Sequence, residues 1–367
     1  MWEALKLLVR RIFASANLLV VLLFVLSAYS DHVSPDTSIF FSFLGLAFPV
    51  LALFTLLFVF YWLFLGHWKY LLIGICSFLI CWGPVNRYYP FHTKTEIPEG
   101  KNTLKVLTYN IMAFGYKGNT KEEPNKILEY IANSDADIVC LQEYAVNKLT
   151  NLSSSRIYKA LKMYPNHSVF YLKNTKYQNM GIALFSKYPI SKSRRIKYES
   201  DANGSSMHEV TVNGKRLLVI NNHLESFKLT MEDRSRYSDL ISSFDADKLQ
   251  DMRGSISNKL STAFRIRARQ AEAIAEVIRE EDKEAYVLVC GDFNDTPISY
   301  AHRTIQGPLL DAFAESGSGV GITYNQNFFW FRIDNILHSQ NIRSSNCQVE
   351  KIPYSDHYPL SCYITLE

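Results

Sequence analysis

Val287-Leu288-Val289-Cys290-Gly291-Asp292-Phe293-Asn294-Asp295-Thr296-Pro297 is the stretch on which the fold of the soluble part turns. Four apolar residues predict a buried strand, which Gly291 stops. An acid and an amide follow, and Thr296 and Pro297 then turn the chain away. On extended backbone, residues i and i+2 point the same way, so Asp292 and Asn294 are expected on one face of a strand mouth. Such mouths are where ligand sites of layered α/β folds gather. A carboxylate there takes a proton from water or holds a hard cation. A neighbouring amide orients that water, or a phosphoryl oxygen, without adding charge. Residues 292–295 would also suit an ordinary turn. The rest of the chain is what sets them apart.

Composition divides the 367 residues unevenly: 1–95 are strongly apolar, and 96–367 are ordinary globular sequence. A formal net charge of +4 gives no electrostatic case for a large polyanionic partner, although it leaves room for a local basic patch. The six cysteines show neither CxxC nor Cys/His ligand spacing, which argues against zinc and leaves no disulfide framework in view. They read as small core residues.

Three apolar runs, at about 12–30, 39–65 and 69–85, approach the roughly 20 residues needed to cross a bilayer, the third at the short end. A cleaved signal peptide is the competing reading of the first run, and two further runs at once argue against it. Lys6, Arg10 and Arg11 precede the first run, and His67 and Lys69 fall in the second loop. The first loop, 31–38, has two acids and no lysine or arginine. Basic short loops stay in the cytoplasm, so the N-terminus and second loop are expected there, and everything after Val85 outside. The expected organisation is a multi-pass membrane anchor over 1–95, a linker at 96–102 and a catalytic domain over 103–367. The bilayer is an expected partner; no protein partner is expected.

Within that domain, residues 103–111 alternate like a half-buried strand, with Asn110 near its end. A helix is expected over about 121–134, then an apolar strand over 137–143 that ends abruptly in Gln142 and Glu143. Short strands follow at 167–171 and 180–186. A hairpin at 207–212 and 215–222 turns on Asn213-Gly214 and leads into His223. Residues 225–282 read as polar helix with a break near Arg253-Gly254. Arg234, Arg236, Arg265, Arg267 and Arg269 make it a solvated basic face, or a wall meeting anionic substrate or headgroups. In the last part, 328–337 reads as an apolar strand that buries Asp334, and Asp356-His357 stands just before Pro359. A buried carboxylate is costly unless paired. An Asp334–His357 pair would remove that cost and hold the imidazole in one orientation.

Asn110, Gln142-Glu143, His223, Gly291-Asp292-Phe293-Asn294, Asp334 and Ser355-Asp356-His357 stand in order along one domain. Each motif is weak singly; in this order, over about 104–364, the chain resembles the endonuclease/exonuclease/phosphatase superfamily. The resemblance implies a four-layer α/β sandwich, two packed mixed sheets with helices outside. It implies that Glu143 ligates a divalent metal, Mg2+ or Mn2+, with Asn110 adjacent and Asp356 a second metal-side carboxylate. By the same resemblance, Asp292 would position or deprotonate the attacking water, and Asn294 would orient water and phosphate. Asp334 would hold His357 against the phosphoryl group, and His223 would contact phosphate or donate a proton. Two departures, Met112 where base-excision members carry an acid and the presence of His223, favour the deoxyribonuclease, sphingomyelinase and lipid-directed branches. Asn335 stands where an aromatic residue is common. The expected activity is a metal-dependent phosphodiesterase acting on lipid headgroups or nucleic acid outside the cytoplasm. An inositol-phosphate-type phosphomonoesterase, or an inactive binding or sensor module of the same fold, are the alternatives.

Overall fold

The computed structural model describes every residue except 99, 101, 121, 148–149, 201, 229–245, 282–283 and 327–328. Five helices come first: α1 (Trp2–Ala28), α2 (Ile39–Leu46), α3 (Phe48–Phe64), α4 (Trp68–Ile80) and α5 (Trp82–Tyr88). Of these α1 alone is long and apolar enough to cross a membrane, and the described residues hold up to three spans if each bent pair is one. The bends are 57° between α2 and α3 and 68° between α4 and α5. Pro49 and Pro84 sit just inside the second member of each pair, where a missing N–H and a clashing ring interrupt the helix that would otherwise run through. The three apolar runs thus become one continuous helix, starting earlier than residue 12, and two broken ones.

The first strands are β1 (Thr103–Asn110), β2 (Ile138–Asn147), β3 (Asn166–Asn174) and β4 (Gln178–Ser186). Next come β5 (Ile190–Ile196), β6 (Gly204–Val212), β7 (Lys215–His223), β8 (Tyr286–Asp292) and β9 (Leu310–Asp311). The last are β10 (Tyr324–Gln326), β11 (Phe329–Phe331), β12 (Asp334–His338), β13 (Ile342–Val349) and β14 (Leu360–Leu366). Two six-stranded sheets result, ordered β13-β14-β1-β2-β4-β3 and β5-β6-β7-β8-β12-β9, and β10 and β11 form a separate hairpin. Both sheets are mixed, with β1 parallel to β2 and β7 parallel to β8 at their centres. The sheets pack face to face over Val106, Cys140, Leu184, Val219, Cys290, Ile336 and Cys362. Helices α6 (Lys126–Asn133) and α7 (Ser154–Ala160) cover the outer face of the first sheet. Helices α8 (Ala246–Arg279) and α9 (Tyr300–Gln306) cover the second. These are the four layers.

Several local expectations change. Helix α6 starts later than 121 because Asn125 caps it, its side chain accepting from the Ile127 and Leu128 amides. Such a cap contributes about 1 kcal/mol. Helix α8 runs unbroken through 253–254: one exposed glycine costs about 1 kcal/mol, which a helix of 34 residues absorbs. Arg234 and Arg236 lie outside the described residues. Strand β5, polar and at a sheet edge, was not anticipated. Residues 328–337 are not one strand, since β11 pairs with β10 and a new strand begins at Asp334.

What matters for function is a gradient along the inner faces. Alternation sends Leu104, Val106, Thr108 and Asn110 of β1 inward, and likewise Ile138, Cys140 and Gln142 of β2. Leu217, Val219, Asn221 and His223 do the same on β7, and Leu288, Cys290 and Asp292 on β8. Every row begins apolar and ends polar at the same end. Glu143 joins that end only through a bulge, at which Gln142 and Glu143 together oppose Ile182, with Glu143 at φ 51°. Strand β2 therefore continues past the acid instead of stopping at it.

Candidate active site

Strand polarity brings the remaining residues to the same end. Strand β12 runs antiparallel to β8, so its first residue, Asp334, is paired opposite Asp292, which is paired with His223 on its other side. Strand β14 runs antiparallel to β1, so the segment entering it, with Asp356 and His357, arrives beside Asn110. Ser355 Oγ, accepting from the His357 amide at 3.3 Å and donating to the Asn110 carbonyl at 2.8 Å, fixes that entry. Beneath them Gln142 donates to Thr108 Oγ1 at 3.1 Å and to Asn221 Oδ1 at 2.7 Å, joining the two sheets under the site.

The eight residues singled out in the sequence, Asn110, Glu143, His223, Asp292, Asn294, Asp334, Asp356 and His357, meet here. Seven of them line one cavity of about 200 Å³; Asp334 lies directly behind His357. Asp292 is central and buried. Its Oδ2 accepts from Asn110 Nδ2 at 3.0 Å, with His357 Nε2 at 3.7 Å and His223 Nε2 at 3.9 Å. His357 Nδ1 lies 2.8 Å from Asp334 Oδ2, the pairing that the burial of Asp334 called for. Thr323 Oγ1 accepts from the Asp334 amide at 3.1 Å and places that acid in turn.

Asn294 reaches the site by a different route from the one its spacing suggested. It does not continue an extended strand but adopts φ 51°, folding back so that its amide donates to Asp292 Oδ1 at 2.8 Å. Its Nδ2 donates to the Leu224 carbonyl at 2.8 Å and lies 3.3 Å from Asp292 Oδ2. Here Asn294 orients the acid. Gly291 makes the approach possible: at φ +133° it carries no side chain where a Cβ would stand 2.0 Å from the Asn222 carbonyl oxygen.

Burial raises the Asp292 carboxyl to about 6, against the opposing pull of His357 and His223. Burial alone would lower His357, but Asp334 and Asp292 carry it up to about 10, while burial keeps His223 below its ordinary value. At neutral pH the floor therefore holds an ionised Asp292, an imidazolium at His357 and a neutral His223. Asp292, Asp334 and His357 offer ligand atoms within 4.8 Å of one another. Those atoms are committed to the histidine–acid pair, so they read as a charge network. Glu143 and Asp356 line the cavity with carboxylate oxygens, the donors a hard divalent cation takes, and Asn110 stands beside them with its Nδ2 toward Glu143 and Asp292 and its Oδ1 accepting from the Met112 amide.

The walls were not legible in sequence. Phe227, Tyr324, Phe331 and Ile333 line the cavity with apolar surface, and the Tyr324 ring lies 5.1 Å from that of His357. The arginine run also resolves differently. Arg267 is fully buried, with Nε donating to Asp295 at 3.0 Å and its guanidinium 4.3 Å from the Phe227 ring, so it supports the wall from behind. Arg265 and Arg269 lie 3.8 and 3.6 Å from Asp36 of the first loop.

A family model described as endonuclease/exonuclease/phosphatase family matches residues 107–357, and one for a domain of unknown function matches 10–88. No curated protein matches the sequence. Among solved structures, the chain is similar to the human Nocturnin catalytic domain with bound sulfate, at 16% identity and TM-score 0.52, covering 76% of this chain and 97% of that one. It is also similar to an endonuclease/exonuclease/phosphatase from Beutenbergia cavernae, at 16% identity and TM-score 0.50, covering 72% of each chain. At that identity the likeness is one of fold.

Proposed function

The chain belongs to the endonuclease/exonuclease/phosphatase family, and on that premise we propose a membrane-anchored, divalent-metal-dependent phosphodiesterase acting on lipid headgroups outside the cytoplasm. Supporting the hydrolase chemistry is the cavity floor, where an ionised acid and an imidazolium stand 3.7 Å apart beside oxygen donors. Asp292 takes a proton from water lined up opposite the leaving group, and Asn294 and Asn110 hold that acid in place. His357, kept charged by Asp334, stabilises the negative charge that develops on the phosphoryl oxygens. His223, neutral and beside both Glu143 and Asp292, is placed to donate a hydrogen bond to the phosphoryl group, and the departing oxygen takes its proton from solvent. A cation held by Glu143 and Asp356, with Asn110 adjacent, would neutralise phosphate charge.

One observation favours lipid over nucleic acid. The cavity-lining Phe227 ring lies 5.5 Å from Phe264, and Phe264 lies 5.6 Å from Phe43 of α2. Three rings thus connect the site to the second apolar run. The side facing the sandwich supports an extracytoplasmic placement. Loop 31–38 and the end of α5 both contact the soluble part, through Asp36 with Arg265 and Arg269 and through Arg87 with Pro297. That puts the sandwich on the side of the loop without lysine or arginine.

The test is the full chain in nanodiscs, with magnesium or EDTA, on sphingomyelin or phosphatidylinositol vesicles, plasmid DNA and a bis-aryl phosphodiester. Magnesium-dependent turnover that is highest on vesicles is expected. Preference for plasmid would replace lipid with nucleic acid, and absence of turnover on every substrate would overturn the enzyme reading.

A further inference from the structure

Arg87 closes the last turn of α5 and touches three separate parts of the molecule. Its Nη1 donates to Asp31 Oδ2 at 2.8 Å and to the Pro297 carbonyl at 3.3 Å. Its own carbonyl accepts from Arg332 Nη2 at 2.7 Å. Pro297 follows Asn294 closely, and Arg332 just precedes Asp334. One residue at the end of the membrane helices therefore grips both segments that carry the acids of the cavity floor.

Arg87 itself is part-buried, and its charged partners are buried. Arg332 is fully buried, with Nη1 donating to Asp311 Oδ2 at 3.0 Å and to Oδ1 at 3.2 Å, and its guanidinium 4.8 Å from the Phe313 ring. Asp31 is also buried; besides Arg87 it has His32 Nδ1 at 2.7 Å and Arg303 Nη1 at 4.0 Å. Ile298 packs with Phe24, Ala28, Phe48 and Tyr88 of the membrane helices. A Cβ on Gly45 of α2 would come within 2.6 Å of the Ile298 carbonyl oxygen, so the two backbones are in close contact.

Strand pairing sets Asp292 against Asp334, but not the chain that flanks them. The β8–β12 ladder ends where Asp292 opposes Asp334. One further backbone bond, from the Phe293 amide to the Ile333 carbonyl at 2.8 Å, follows; past it the turn at 294–297 and Arg332 are held by other contacts, those of Arg87 among them, and these bear on how Asp292 sits against His357. Proton transfer and charge stabilisation tolerate little error there: a displacement of about 1 Å can cost about 10²-fold in rate.

We propose that Arg87 is a positioning residue, and that through it the membrane helices form part of the active-site scaffold as well as an anchor. The kinetic part of this inference rests on the phosphodiesterase reading; the structural part does not.

The experiment uses the full chain in nanodiscs as wild type, Arg87→Ala, Arg87→Lys and the double variant Asp31→Asn/Arg87→Gln, which leaves no unpaired charge buried. Two readouts are taken: magnesium-dependent hydrolysis of a soluble bis-aryl phosphodiester, and amide hydrogen exchange over 292–298 and 332–335. The expected result is a fall in kcat of about 10²-fold in Arg87→Ala and in the double variant, with KM nearly unchanged. Arg87→Lys should recover part of it, since an ammonium still pairs with Asp31. Exchange over 292–298 should quicken, while 332–335, held by the carbonyl of residue 87 that every variant keeps, should change less. A folded Arg87→Ala or double variant with wild-type kcat and wild-type exchange would overturn the proposal. If Arg87→Ala does not fold, the double variant decides. If the wild type itself shows no turnover, the phosphodiesterase reading has failed and exchange decides alone: faster exchange supports the scaffold, unchanged exchange removes it.

Discussion

Replacing Gly291 by alanine puts a methyl group where the sandwich has no room. The added Cβ would stand 2.0 Å from the Asn222 carbonyl oxygen and 2.7 Å from its nitrogen, where ordinary contact begins near 3.4 Å. Strands β7 and β8 would have to part by about 1.4 Å at the rung where Asn222 faces Gly291, one step from the rung joining His223 to Asp292. Each buried backbone hydrogen bond lost there costs about 1–3 kcal/mol. Forcing an alanine to φ +133° adds about 1–3 kcal/mol more. The sum is about 2–6 kcal/mol, or a fall in Tm of roughly 4–24 °C for a unit of this size. The assay is thermal unfolding of the full chain in detergent, followed by near-ultraviolet circular dichroism. Gly254→Ala serves as the control. It is exposed on α8 with nothing within 4 Å of the added Cβ, and should stabilise by about 0.5–1 kcal/mol. A Gly291→Ala protein melting within about 2 °C of wild type would refute the packing described at the site.

Asp292→Asn should lower kcat by about 10³-fold while leaving Tm nearly unchanged, because the acid is a buried charge that the fold can spare; a large loss of stability with normal turnover would contradict the assignment. Asp334→Asn should remove about 10²–10⁴-fold in kcat, because His357 loses the group that orients it, and about 3–5 kcal/mol of stability from the broken buried pair; intact turnover in the folded variant would count against the dyad. Burial pushes the Asp311 carboxyl up, but Arg332 more than offsets this and holds it below the ordinary carboxylate range. A depressed value means stability that is present above about pH 4 and lost as pH falls below it. Wild type should therefore outlast Asp311→Asn at pH 7, with the gap in Tm narrowing toward pH 3; a gap that does not change with pH would exclude this origin.

Much of the site was legible because each inner row of side chains turns polar at the same end. Asn110, Gln142, His223 and Asp292 all sit where an apolar alternation stops. The partnership of Asp334 and His357 followed from the cost of burying a lone carboxylate. Other features follow no period. Simple alternation would point Glu143 outward with Val139 and Leu141, and only the bulge turns it to the cavity. Asn294 depends on a left-handed φ, and Arg267 on burial against Phe227 and Asp295, neither of which composition reveals. Thr323, Tyr324 and Phe331 lie on a short hairpin whose proximity is set by tertiary packing. Arg87 sits at the end of an apolar run where a basic residue is unremarkable, and its partners are Asp31, Pro297 and Arg332, all remote in sequence.

The bulge in β2 also divides that strand into two reading frames. Upstream, odd-numbered Val139 and Leu141 belong to the outer layer; downstream, even-numbered Tyr144 takes that role, packing on Phe114 and Phe185. One extra residue thus serves two layers at once, delivering a carboxylate to the cavity and restoring an aromatic ring to the far side of the sheet. A change that flattened the bulge without removing a residue would not simply mute the acid. It would turn Glu143 into the greasy layer and Tyr144 into the space between the sheets, so the strand cannot surrender its chemistry without also scrambling its packing.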